Sequence, residues 1–126
     1  MNPMVLCYNL RPEKLGKLRV LAVRLGIRLR TVMPEEFALP VGALAGVAEP
    51  PAEIPAVEPF SDEMIVMAHF RPGMLDAFLN DMRRSRVPPI PLKAMLTETN
   101  AGWNAVELHD TILEEHRQME AMRKKK

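Results

Sequence analysis

Few residues in this 126-residue chain are of types that could do chemistry: three histidines, one cysteine and a handful of carboxylates close in sequence. His109 and His116 stand seven apart. On a helix that spacing puts them on one face, about 10 Å apart along the axis. Short side chains cannot reach one zinc across that gap, and no His-Glu-x-x-His or i, i+4 pair exists. Both therefore read as partly buried packing histidines, and no metal is expected. Cys7 lies in the apolar run Met4–Tyr8. A lone cysteine cannot form an internal disulfide, which suits a reducing cytoplasm, and burial among apolar neighbours raises a thiol's pKa. It reads as inert core. Glu114 and Glu115 point apart on a helix, and no Gly-x-Ser-x-Gly or phosphate-binding loop is present. No catalytic residue and no cofactor are expected.

One convergence is more promising. If the strand ending at His69 and the strand ending near Thr97 run in the same direction, their ends share a rim. That rim gathers His69, Thr97, Asn100 and Trp103, with Lys93 a short way back as a cation. These five are the tentative ligand-binding residues, since polar groups beside a large aromatic are the minimum for a small-molecule site. The plainer reading, which is preferred, has Thr99 and Asn100 capping a helix that Trp103 anchors.

The elements that would position these residues come in two similar copies. Met4-Val5-Leu6-Cys7-Tyr8-Asn9-Leu10-Arg11-Pro12 matches Met64-Ile65-Val66-Met67-Ala68-His69-Phe70-Arg71-Pro72 in pattern, sixty residues on. Each copy is an apolar run of strand length, then a proline suited to the first turn of a helix, then an amphipathic stretch. Leu15, Leu18, Leu21, Ala22 and Leu25 form one helical stripe, closed by Gly26, and Leu75, Phe78, Leu79 and Met82 form the other. A second extended segment follows each helix, 27–33 and 92–97. The repeat units are thus 4–33 and 64–97, within a single domain spanning 1–126.

Between them, Phe37 to Val47 is small and apolar and reads as one short helix broken by Pro40 and Gly42. It suits packing on a sheet edge or serving as an apolar contact patch. Residues 47–61 carry Pro50, Pro51, Pro55 and Pro59 with three glutamates and no basic residue, which predicts an extended surface linker. A long helix is expected over 103–123, capped by Thr99 or Asn100, with Arg123 to Lys126 at its negative end.

A doubled strand–helix–strand unit has two common solutions, the interleaved ferredoxin-like sandwich and the doubly wound parallel sheet. Four short strands without a Gly-rich turn favour the first. The fold expected is α+β: ferredoxin-like, an antiparallel sheet in the order 4-1-3-2 with an additional C-terminal helix. Both central strands are apolar on alternate faces, so both faces should be covered. The two repeat helices would cover one. The C-terminal helix or a second subunit would cover the other.

The segment Lys93-Ala94-Met95-Leu96-Thr97-Glu98-Thr99-Asn100-x-x-Trp103 resembles a family of small bacterial proteins known only as a domain of unknown function. There the pattern runs Lys-Ala-Val-Leu-Thr-Pro-x-Asn-x-x-Trp, so Met95 and Glu98 depart from it. The resemblance is clearest over the second unit and the helix after it. It implies a bacterial cytoplasmic origin and no chemistry.

Composition narrows the remaining classes. Seventeen Lys and Arg nearly balance sixteen Asp and Glu, and aromatics make up 5% of the chain. The RNA-recognition module stacks bases on aromatics of its two central strands. Here Leu6 occupies the ring position, so nucleic acid is not an expected partner. No apolar run approaches the roughly 20 residues of a membrane span. What remains is a protein-interaction or regulatory module that self-associates or binds another protein, with a small-molecule sensor as the alternative.

Overall fold

The structure, a computed structural model, describes residues 2–124. Strand β1 (Met4–Tyr8) leads through helix α1 (Pro12–Leu25) to β2 (Arg28–Val32). A 3₁₀ turn (Pro34–Glu36) and the single-turn helix α2 (Val41–Leu44) follow, and then a stretch without regular structure. Next come β3 (Met64–Ala68), α3 (Met74–Arg84), β4 (Leu92–Met95), a 3₁₀ turn (Asn100–Gly102) and α4 (Ala105–Lys124). Lys125 and Lys126 of the basic C-terminal run lie outside the described residues.

The protein is α+β with one four-stranded mixed sheet, in the order β2-β1-β3-β4. β1 pairs antiparallel with β3, while β2 and β4 each run parallel to the first strand of their own unit. The expected central pair is present. The antiparallel 4-1-3-2 order of the ferredoxin-like sandwich is not, because the two units lie side by side instead of interleaving. The connection explains the difference. An interleaved sheet joins its second and third strands over a short turn, whereas here the chain from Met33 to Glu63 crosses over β1 and packs against the sheet on the way.

The β1–β3 register has its own symmetry. Met4 faces Ala68 and Tyr8 faces Met64, so exchanging residues sixty apart leaves the pairing unchanged. Backbone conformation follows the same rule. Asn9 (φ 59°) and His69 (φ 63°) take left-handed conformations after the central strands, as do Gly26 (φ 70°) and Arg86 (φ 57°) after the helices. Glycine adopts that region at no steric cost, and Gly26 caps α1 as expected. Pro72 does not open α3 as Pro12 opens α1. It lies in a turn, and the left-handed Gly73 delays the helix to Met74.

Helices α1 and α3 bury Leu18, Leu21, Ala22, Phe78 and Met82 against Val5, Cys7, Ile65 and Met67 on one face. The other face carries Leu6, Tyr8, Met64, Val66 and Leu92. Residues 37–44 lie over that face rather than along an edge: Phe37, Val41 and Leu44 are buried there beside Ala105 and Leu108 of α4. The extended linker is not purely superficial either, since Val57 and Phe60 pack on the same core. No helix among the described residues is long and apolar enough to cross a membrane.

Candidate functional site

The parallel pairing of β3 and β4 brings their C-terminal ends to one rim. Lys93, Thr97, Asn100 and Trp103 line a cavity of about 320 Å³ between β4 and α4, with Thr111 and Glu115 on its helical wall. His69 does not join them. It walls two other cavities, one of which it shares with Thr97.

Most polar groups in this neighbourhood are already occupied. Asn100 is buried; its Oδ1 accepts the Thr97 N–H (2.9 Å) and its Nδ2 donates to the Met95 carbonyl (2.9 Å). The Thr97 hydroxyl accepts the Asn100 N–H in return (3.1 Å). These bonds hold the turn between β4 and α4 together. The Lys93 ammonium donates to the Ile90 carbonyl (2.7 Å), and burial there lowers its pKa. His69 Nε2 donates to the Ala45 carbonyl (2.9 Å), fastening the end of α2 to the sheet. Its counterpart Asn9 does similar work at the opposite end of the sheet, donating to the carbonyls of Phe60 (2.8 Å) and Asp62 (3.1 Å).

Neither Thr99 nor Asn100 caps the last helix. Asn104 does: its side chain accepts the Glu107 N–H (2.9 Å), while the Glu107 carboxylate accepts the Asn104 N–H (3.3 Å). This reciprocal pair is a capping box built with asparagine. Trp103 is half-buried against the second core, and its carbonyl accepts the Val41 N–H (2.8 Å).

His109 is buried, with its ring stacked on Phe60 at 4.1 Å between centroids. Nε2 faces Asp62 (2.8 Å) and Nδ1 faces Asp110 (2.9 Å). A carboxylate thus stands against each ring nitrogen. His116 is exposed on the same helix. Among the described residues, no three His, Cys, Asp or Glu side chains are placed to hold a metal ion. Cys7 is buried in β1, and burial raises its thiol pKa to about 12, with Arg19 opposing only weakly. The Tyr8 hydroxyl is also buried and has no hydrogen-bond partner among the described residues; burial raises its pKa as well.

A different set of functional groups stands on β2. The second face of the sheet carries alternate residues of every strand, and on β2 these are Arg28, Arg30 and Val32. Val32 is buried in that core. Arg28 and Arg30 occupy equivalent positions farther back, where they line a cavity of about 410 Å³ with Asn2, Met4, His69 and the end of α2. Sequence reasoning missed this pair. The available signal was the alternation itself: Ile27, Leu29 and Thr31 face one side, so two arginines share the other with Val32.

The class defined by this fold is a small α+β protein built from two adjoining parallel strand–helix–strand units, covered on both faces. Residues 63–119 match the family model described as Domain of unknown function (DUF3783), a stretch running from the start of β3 to Met119 of α4. It contains the whole Lys93–Trp103 motif. No curated protein and no solved structure matches the chain.

Proposed function

We propose that the protein is a small cytoplasmic interaction module of bacterial origin that associates with a second copy of itself through the free end of α4. The observation that carries this reading is the mismatch between α4 and the sheet beneath it. Ala105, Leu108 and Ile112 pack on the second face, but Glu114 to Met119 are all exposed. The apolar seam nevertheless continues at a and d heptad spacing, through Met119 (62% exposed) and Met122 (69%), with Glu115 interrupting it once.

Charge supports a second copy as the occupant. Glu114 and Glu115 begin the free segment, Arg123 and Lys124 end it, and Met119 lies near its middle. Two such segments packed antiparallel bring each acidic start against the other's basic end. The segment is only about 16 Å long, so the contact stays below the roughly 1,200 Å² of a standard stable interface. Micromolar, reversible association follows. The alternative, a small-molecule sensor using Lys93, Thr97, Asn100, Trp103 and His69, is less well supported, because the Asn100 amide is committed to the turn and His69 lies apart.

Sedimentation velocity from about 10 µM to about 1 mM tests the reading, with dimer expected to accumulate across that range. The Met119→Glu/Met122→Glu variant should stay monomeric with an unchanged circular dichroism spectrum. A monomer throughout the range, or a double variant that dimerises like the parent, overturns the proposal.

A further inference from the structure

We infer that the cavity behind Arg28 and Arg30 is a binding site for a small molecule bearing a carboxylate or phosphate group. The inference is independent of α4 and of self-association.

Three observations carry it. The first is charge: the chain as a whole is balanced at +1, yet this cavity is lined by two arginines and no acidic residue. The nearby carboxylate, Glu36, is held outside it, where it accepts one hydrogen bond from Arg30 (2.8 Å) and one from the Met33 N–H (3.0 Å). These bonds lower the Glu36 pKa against a smaller opposing effect of burial, so the carboxylate stays ionised and steadies the Arg30 fork. Arg28 has no ion-pair or side-chain hydrogen-bond partner among the described residues, leaving its donors available to a ligand.

The second is position. Two residues apart on a strand, the arginines leave the backbone on the same side about 7 Å apart. Like charges that close repel, and an oxyanion between them converts the repulsion into two charge-assisted contacts. On the other three strands this face is apolar at the equivalent places, such as Leu6, Val66 and Ala94.

The third is the shape of the surroundings. Met4 forms part of the wall, the end of α2 forms another, and His69 is fixed by its left-handed backbone and its bond to Ala45. The Asn2 amide adds neutral donors. At about 410 Å³ the cavity suits a small metabolite more than a polymer.

Exposed charges on an edge strand also protect against edge-to-edge aggregation, and the experiment separates that role from binding. Isotope-labelled protein is titrated with inorganic phosphate and, separately, with citrate, each against sodium chloride of matched ionic strength. A site gives saturable shifts of the Asn2, Arg28, Arg30 and His69 amides with at least one probe, and which probe responds identifies the group recognised. Arg28→Met should weaken that binding at least tenfold, while Arg24→Met on α1 leaves it unchanged. Arg28→Lys keeps the charge at the edge, and so keeps the protein soluble if the methionine variant aggregates; it should bind at least threefold more weakly through loss of the fork. Three results overturn the inference: no saturable response to either probe beyond that to chloride, equal binding by Arg28→Met, or parent-like binding by Arg28→Lys where the methionine variant aggregates.

Discussion

Replacing Gly42 with alanine should destabilise this protein, although the same change in an ordinary helix would stabilise it. Alanine is favoured over glycine by about 1 kcal/mol in a helix interior, and it also restricts the unfolded chain. Gly42, however, lies where α2 meets the turn after β4. A Cβ there would sit 2.8 Å from the Ala101 carbonyl oxygen, 2.9 Å from the Ala101 Cβ and 3.2 Å from Val47 Cγ2. Carbon atoms pack best at roughly 3.5–4.0 Å, so α2 and the turn would have to separate by several tenths of an ångström or more. Neither side is free to do so. Val41 N–H donates to the Trp103 carbonyl (2.8 Å) and Ala105 N–H to the Phe37 carbonyl (3.0 Å), bracketing the contact. Relief strains these bonds or opens the second core, and overpacking of this kind costs typically about 1–3 kcal/mol. After allowing for the gain in propensity, we expect a net loss of about 1–2 kcal/mol. Urea unfolding followed by circular dichroism gives that number, and fluorescence of Trp103, the single tryptophan, reports the local displacement. Gly16 is the control: it lies in α1 with nothing within 4 Å of the place a methyl group would take, so Gly16→Ala should stabilise by about 0.5–1 kcal/mol. If Gly42→Ala matches or exceeds the parent in stability and leaves Trp103 emission unchanged, the packing argument fails.

Two further predictions concern titratable groups. With its pKa raised to about 12 and its side chain buried, Cys7 should resist iodoacetamide at about pH 8 until the protein is unfolded in urea; complete labelling of native protein within minutes would contradict this. Burial opposes ionisation of Glu63, but its bonds from Lys14 and from the Arg11 N–H, with the charge of both, outweigh burial and lower its pKa from the ordinary 4.5. A lowered folded pKa stabilises the protein above the ordinary value, and the contribution is lost as pH falls through the folded value. Glu63→Gln should therefore lie about 1–2 kcal/mol below the parent at neutral pH, with the difference shrinking below about pH 4; a gap that urea midpoints show to be constant with pH would refute the assignment.

The elements of this fold were legible because local signals agreed. Pro12 and Gly26 bound α1 where the leucine stripe begins and ends, and four apolar or alternating runs became four strands. Strand order was not legible from those runs. Interleaved and adjoining units contain the same strands and the same central pair, and only the chain joining them distinguishes the two. Its prolines predict an exposed linker, whereas Phe37, Val41, Val57 and Phe60 mark its passage over the sheet. The rim site was legible only as a neighbourhood. Lys93, Thr97, Asn100 and Trp103 do meet, but sequence shows which polar groups are near a turn, not which are consumed in building it. Asp62 and His109 lie 47 positions apart, and no local pattern pairs them.

The β1–β3 register has a topological consequence for the segment that the family model covers. A unit consisting of β3, α3 and β4 has one central strand with one side left open, the five residues of β3 that here pair with β1. Its valence is therefore one. Because the register is unchanged when the units trade places, the surface that satisfies that valence has the same geometry as the surface that needs it. Residues 63–119 alone would carry both halves of their own closure, and two such fragments could complete this sheet across a dyad without any help from residues 4–33.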